Sequence, residues 1–193
     1  MAVLPLDRYI AEPDIRERFE TTVRAPAAIV MDVATHFDLQ SLRSARAIFR
    51  LRELLLRSAP PAPRPPQGLL DEMTKLGWGV LTHEPGVIVC GAHCQPWQAD
   101  VTFTAIPADQ FAAWQAPVQV KIAWSLEADA IAPDVTRFGQ ETRAIATYAI
   151  GRARFLRYWR WARFGIVAIR LLLMPAVRRE AERRWAVERP GGG

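Results

Sequence analysis

Apolar residues recur at alternating intervals of four and three along the last long stretch of the chain: Phe155, Trp159, Ala162, Ile166, Ile169, Leu173 and Ala176. That spacing keeps them on one face of a helix and predicts one long amphipathic helix over residues 152–185. Arg154, Arg157, Arg160 and Arg163 fall mostly off the stripe, where their charges stay in water while their stems cover apolar surface. Residues 164–174 are apolar nearly all round, with Arg170 the one charge, so they are expected to be the most deeply enclosed part. Pro175 should kink or end the helix. Residues 178–188 resume as a charged helical tail in which Glu180 can pair with Arg183 or Arg184.

Elsewhere the period is two. In residues 15–24, Ile15, Glu17, Phe19, Thr21 and Val23 alternate with Arg16, Arg18, Glu20, Thr22 and Arg24, and the β-branched Thr-Thr-Val run favours extended backbone. Ala25-Pro26 closes this strand, and Pro26 suits the first turn of a short helix over 27–37 that carries Ile29, Val30, Val33 and Phe37 on one side. Asp38 is placed to cap a second helix over 39–56. Residues 58–68 hold Pro60, Pro61, Pro63, Pro65 and Pro66, an extended connector, and 69–76 read as a short helix or turn. From there the chain reads as strands at 78–83, 87–94, 100–106, 118–126 and 136–147, with Glu84-Pro85-Gly86 a turn and Pro96, Pro107, Pro117 and Pro133 in the links. Short links imply an antiparallel meander, six strands or more with the first. An antiparallel sheet with one apolar face needs a cover, and the terminal helix has the length for it. Residues 1–13 read as a loose leader.

At 193 residues, 50% hydrophobic and 23% charged, the composition is that of one globular domain. The expected division is a domain over 14–176 and a basic tail over 177–193. The net charge of +5 is uneven: residues 151–193 hold eleven arginines against three acidic residues, and the rest is slightly acidic. A basic helix can meet an anionic membrane or nucleic acid. The simpler reading is a solvated face. No nucleic acid is expected, and membrane contact, if any, falls to Arg178, Arg179, Arg183 and Arg184. The two cysteines, Cys90 and Cys94, make no disulfide framework. The opening residues have no signal-like apolar run, and the apolar run 164–177 is short of the roughly 20 residues of a membrane span. The reading is a cytoplasmic protein.

Strand alternation sorts the candidate chemistry by face. In residues 87–94, Val87, Val89, Gly91 and His93 share one face and Ile88, Cys90, Ala92 and Cys94 the other. This separates His93 from Cys94 and argues against both a Cys90/His93/Cys94 zinc site and a Cys–His nucleophile pair. In the last strand Glu141 and Arg143 share a face, and a neighbouring strand can bring Lys121 near Glu141. Facing an interior, this cluster would orient a ligand's carboxylate or hydroxyl; facing water, it is a surface pair of little value. His83 and Glu84 sit at a turn, and His36 at a helix end. Trp124 and Trp159 are expected on facing apolar surfaces. No metal-binding, phosphate-binding or nucleotide-binding motif is present, and no cofactor or metal is expected.

The run Phe19-Glu20-Thr21-Thr22-Val23-Arg24-Ala25-Pro26-Ala27-Ala28-Ile29-Val30 is similar to the opening strand, Ala-Pro and helix of the START-like, or SRPBCC, superfamily, which includes Bet v 1 allergens and polyketide cyclases. Lys121-Ile122-Ala123-Trp124-Ser125-Leu126 and Gly139-Gln140-Glu141-Thr142-Arg143 resemble its late strands. The resemblance spans about residues 14–175. It implies an α+β helix-grip fold: a curved antiparallel sheet of six or seven strands around a long C-terminal helix, with two short helices after strand 1. It also implies a cavity for a hydrophobic small molecule or lipid, lined on this chain by Trp124, Phe103, His93, Glu141, Arg143, Phe155, Trp159 and Ile166. The family contains carriers, sensors and enzymes, so the alternatives are a cyclase or aromatase-like activity through His93, Glu141 or Arg143, and membrane association through the basic helix.

Overall fold

The computed structural model describes residues 4–38 and 68–189. A short 3₁₀ turn at Pro5–Arg8 precedes β1 (Ile15–Val23) and α1 (Ala27–His36). Then follow α2 (Leu69–Lys75), β2 (Gly79–Glu84), β3 (Val87–Cys94), α3 (Ala108–Phe111), β4 (Val120–Ala132), β5 (Val135–Ala146) and α4 (Ala149–Glu188). The strands form one antiparallel sheet in the order β1-β5-β4-β3-β2. A meander whose first strand pairs with its last, crossed by a 40-residue C-terminal helix, is a helix-grip arrangement. The expected second helix at 39–56 and nearly all of the Pro-rich connector at 58–68 lie outside the described residues.

Among the described residues the sheet has five strands, not six or seven. The segment 100–106 meets the sheet at one bridge, where His93 and Thr104 exchange backbone hydrogen bonds of 2.9 and 3.0 Å. The reason is local: β2 leaves the edge of β3 at the Gly79–Gly91 pair, and Thr104 occupies the vacated edge. Between β2 and β3, Gly86 takes φ of +79°, a conformation that suits glycine. Residues 1–13 are not a loose leader throughout, because Leu6, Tyr9 and Ile10 are buried against the sheet.

Strand register divides the sheet into two faces. Phe19, Ile88, Cys90, Trp124, Leu126 and Phe138 face α1 and α4. Leu81, Val89 and Ala123 face the other way, under Leu6, Tyr9, Ile10, Ile106 and Phe111. Phe111 seats over Gly91, where a Cβ would lie 2.4 Å from its ring. Both faces are therefore covered, one by helices and the other by the N-terminal turn and the 95–118 loop.

The long helix departs from expectation in two ways. It continues through Pro175 to Glu188. Leu173, Met174, Ala176, Val177 and Ala181 are buried on both sides of the proline, and that packing offsets the roughly 3 kcal/mol a helix-interior proline costs. Val177 and Ala181, past residue 176, belong to the main core. Nor is 164–174 the most enclosed part. Phe164 is 67% exposed and Leu171 60%, whereas Phe155 near one end and Val177 toward the other are 1% exposed. Among the described residues, no helix is long and apolar enough to cross a membrane.

Candidate functional site

The charged residues of the late strands gather on the outer face of the sheet. Arg18 sits opposite Glu141 in the β1–β5 register, and Ser125 opposite Glu141 in the β4–β5 register. Glu141 Oε1 accepts from Arg143 Nε at 2.6 Å and Arg16 Nε at 2.9 Å, and its Oε2 accepts from Arg18 Nη1 at 2.8 Å. Arg18 also reaches Glu127 at 2.8 Å, and Glu127 accepts from Ser125 Oγ at 2.6 Å. Arg143 Nη1 donates to the Ile10 carbonyl at 2.7 Å and pairs with Asp7 at the same distance. Glu141 and Arg143 are thus neither on a cavity wall nor at the surface. They are sealed beneath residues 4–10.

The electrostatics follow from this packing. Burial opposes ionisation of Glu141, but hydrogen bonds from Arg143 and Arg18 hold its carboxyl below the ordinary range. The Leu4 backbone N–H, then Arg143, hold Asp7 below its ordinary value. Lys121 lies on the same face but does not meet Glu141. It stands opposite Ile145, and its ammonium caps α3 by donating to the carbonyls of Phe111 and Ala112 at 2.9 and 2.8 Å; burial lowers its pKa. His93 is also on the outer face, stacked on Trp114 with ring centroids 4.3 Å apart. Cys90 faces the helices, and burial alone raises its thiol to about 12, which leaves it an unreactive small hydrophobe. Neither cysteine is in a disulfide, and no metal-holding group of His, Cys, Asp and Glu occurs among the described residues.

Trp124, Phe155, Trp159 and Ile166 lie on the other side, between sheet and α4. Trp124 is buried in the main core, with Trp78 6.3 Å away, and Phe103 packs against Trp78 at 4.8 Å. Phe155 packs with Val120, Ala144 and Ala146, and with Trp159 at 6.1 Å. The eight residues expected at one site therefore divide: His93, Glu141 and Arg143 are on the outer face, and the five aromatic and aliphatic residues are on the helix side or at its edge.

On the helix side, α4 is fastened at its two ends. Phe155 secures one end; Leu173, Met174, Val177 and Ala181 secure the other against the core that includes α1. Between them Tyr158, Trp159, Ala162, Ile166 and Ile169 recur on the sheet-facing side yet stay only half-buried, as do Glu17, Ile122 and Thr142 on the sheet. Within this layer Gln140 is 1% exposed, and its Oε1 lacks a hydrogen-bond donor. Arg170, the sole charge in the most apolar stretch of the helix, is half-buried like residues 165–169 before it. A separate open cleft of about 500 Å³ lies between α1 and the end of α4, lined by Asp32, His36, Arg179 and Glu180 among others. His36 pairs there with Asp32 at 3.2 Å.

No family model matches the sequence, and no curated protein does. Three solved structures align over most of the chain. The Zhui aromatase/cyclase from Streptomyces sp. R1128 is 16% identical, covers 93% of this chain and 98% of its own, and gives a TM-score of 0.36. A hypothetical protein from Helicobacter pylori, jhp0584, is 8% identical with coverages of 94% and 96% and a TM-score of 0.38. Ara h 8.0201 is 10% identical, with coverages of 84% and 97% and a TM-score of 0.25. These superpositions are loose, and the helix-grip assignment rests on the strand order and the crossing helix.

Proposed function

We propose that this chain holds a hydrophobic small molecule or lipid between the helix-facing side of its sheet and α4, as a carrier, sensor or store. The observation that carries this reading is the middle of α4. A helix buried at both ends, with sheet-facing residues half-accessible in between, supports room for an apolar guest at that level. The test is uptake of Nile red by the purified chain, together with native mass spectrometry of its organic extract. Fluorescence enhancement with saturable binding is expected. No enhancement and no co-purifying apolar species would overturn the reading. A cyclase-like activity through Glu141 or Arg143 gains no support from their placement, because both are engaged in ion pairs under the N-terminal turn.

A second reading, peripheral contact with an anionic membrane, is favoured by the outward face of α4 and not by the tail. Arg178, Arg183 and Arg184 pair with Glu182, Glu180 and Glu188. Arg154, Arg157 and Arg160 form no such pair among the described residues, and they share the outward face with the exposed Trp161, Phe164 and Leu171. Arginines beside exposed aromatics suit an anionic lipid interface. Co-sedimentation with phosphatidylglycerol vesicles, lost at high salt and absent with phosphatidylcholine alone, is the expected result.

A further inference from the structure

One polar row crosses the helix-facing side of the sheet. Glu17 on β1 stands directly opposite Thr142 on β5, and Trp124 on β4 comes next in line. On the same face of β1, Ile15 packs with the Phe155 cluster and Phe19 with the main core, so Glu17 lies between the two clusters that fasten α4. Glu17 and Thr142 are both half-buried and stay reachable. Glu17 makes no hydrogen bond or ion pair among the described residues. Gln140, the next residue along this face of β5, fixes what Thr142 offers. It is 1% exposed, and its Nε2 donates to Thr142 Oγ1 at 3.1 Å and to the Glu141 carbonyl at 3.3 Å. A carbonyl can only accept, so Glu141 decides which way the amide turns. The cost is Gln140 Oε1, buried with no donor among the described residues. What the arrangement secures is a Thr142 hydroxyl that already accepts from Gln140 and has its own proton left to give.

We infer that the molecule held beneath α4 is an apolar alcohol or phenol whose hydroxyl bridges Glu17 and Thr142, donating to the carboxylate and accepting from the threonine. This rests on the proposed binding space and names the class of its guest. Side chains directly opposite on an antiparallel pair have Cβ atoms about 5 Å apart. The Glu17 carboxylate and the Thr142 hydroxyl do not bond each other, and one oxygen set between them reaches both. A hydroxyl is donor and acceptor at once, which is what this pair asks for. An ether has no proton for Glu17. A carboxylate meets the like charge of Glu17. An ammonium donates to Glu17 but has no lone pair for the Thr142 proton. Ile122 and Trp124 continue the sheet wall beside Thr142, and supply apolar contact for the rest of the guest.

The experiment is displacement of Nile red from the full chain at pH 7.5 by 1-decanol, decyl methyl ether, decanoate and decylamine, which share one apolar body. In the wild type, decanol is expected to displace the dye at a concentration at least about tenfold lower than the ether, since a hydrogen bond to a charged group is worth that or more. Glu17→Leu should abolish the difference by weakening decanol while leaving the ether unchanged, and Thr142→Val should keep part of it. Circular dichroism checks that each variant folds. Should Glu17→Leu not fold, Glu17→Gln takes its place and should cut the preference about fivefold, the gap between a charged and a neutral hydrogen bond. Decanol and ether equal in the wild type, or a full preference that survives the Glu17 change, would overturn the inference. Stronger displacement by decanoate or decylamine than by decanol would overturn the hydroxyl assignment. If Nile red does not bind, the binding space itself fails and this inference with it, an outcome distinct from a dye that binds but is displaced without regard to the hydroxyl.

Discussion

The two faces of the sheet are built from similar materials and put to different uses. The outer face collects Arg18, Glu127, Glu141 and Arg143 and joins them in one network closed off by the N-terminal turn. The helix-facing side carries far fewer polar groups, and Gln140 Oε1 is buried there without a hydrogen-bond donor among the described residues. Ion pairs in a sealed layer hold the molecule together, although Arg143 Nη2 is buried there without a hydrogen-bond partner among the described residues. The concentration of charge in the late strands thus marks a structural network.

The sharpest way to break this comparison is to empty the outer network. Glu141→Ala leaves Arg143 buried with only Asp7 and one carbonyl, and is expected to cost about 3–5 kcal/mol. Urea unfolding measures it, and a loss under about 1 kcal/mol would show that the network is not structural. The next effect concerns the helix ends. Phe155→Ala should cost about 3 kcal/mol, as a fully buried ring does. Ile166→Ala, in the half-buried middle, should cost well under the ~2 kcal/mol typical of enclosed isoleucines. Equal losses would mean that α4 is packed evenly along its length. Acid unfolding gives a subtler contrast. The native Glu141 carboxyl lies below its ordinary value, so its contribution is complete above about pH 4.3 and is lost as the pH falls through the native value. Glu141→Gln should therefore show a shallower fall in stability below pH 4.3 than the wild type, read as urea midpoint against pH. The smallest change is expected at Arg170. Replacement by Met removes a half-buried cation that forms no ion pair among the described residues and should leave the urea midpoint unchanged or slightly raised, whereas a drop like that of Phe155→Ala would reveal a structural partner.

Much of the scaffold was legible because its signals are periodic. Alternation placed β1 within one residue of its observed end and sorted Cys90 from His93 correctly, as the β3–β4 register confirms by pairing Cys90 with Trp124. Glu180 pairs with Arg183 at 2.6 Å, as its spacing required. What alternation does not encode is what covers each face. Nothing in Leu6, Tyr9 and Ile10 advertises that they close the outer side, because that depends on Arg143 reaching back to the Ile10 carbonyl across 133 positions. Hence Glu141 and Arg143 could be assigned to a shared face but not to the right layer. The 100–106 segment had a strand's composition but meets only the short end of β3 that β2 leaves open, at the single His93–Thr104 bridge. Pro175 was read by its local cost, and the core packing on both sides of it outweighed that cost.

The pairing of β1 with β5 has a bearing on how the chain is made. Thr21 stands opposite Phe138, so β1 waits for a strand made more than a hundred residues later before its backbone is paired. Until then its Ile15, Phe19 and Val23 side lies uncovered, and sequence-distant pairings of this kind are slow to close. Nascent chains halted before residue 135 should accordingly engage chaperones, and release should track the emergence of β5 and α4.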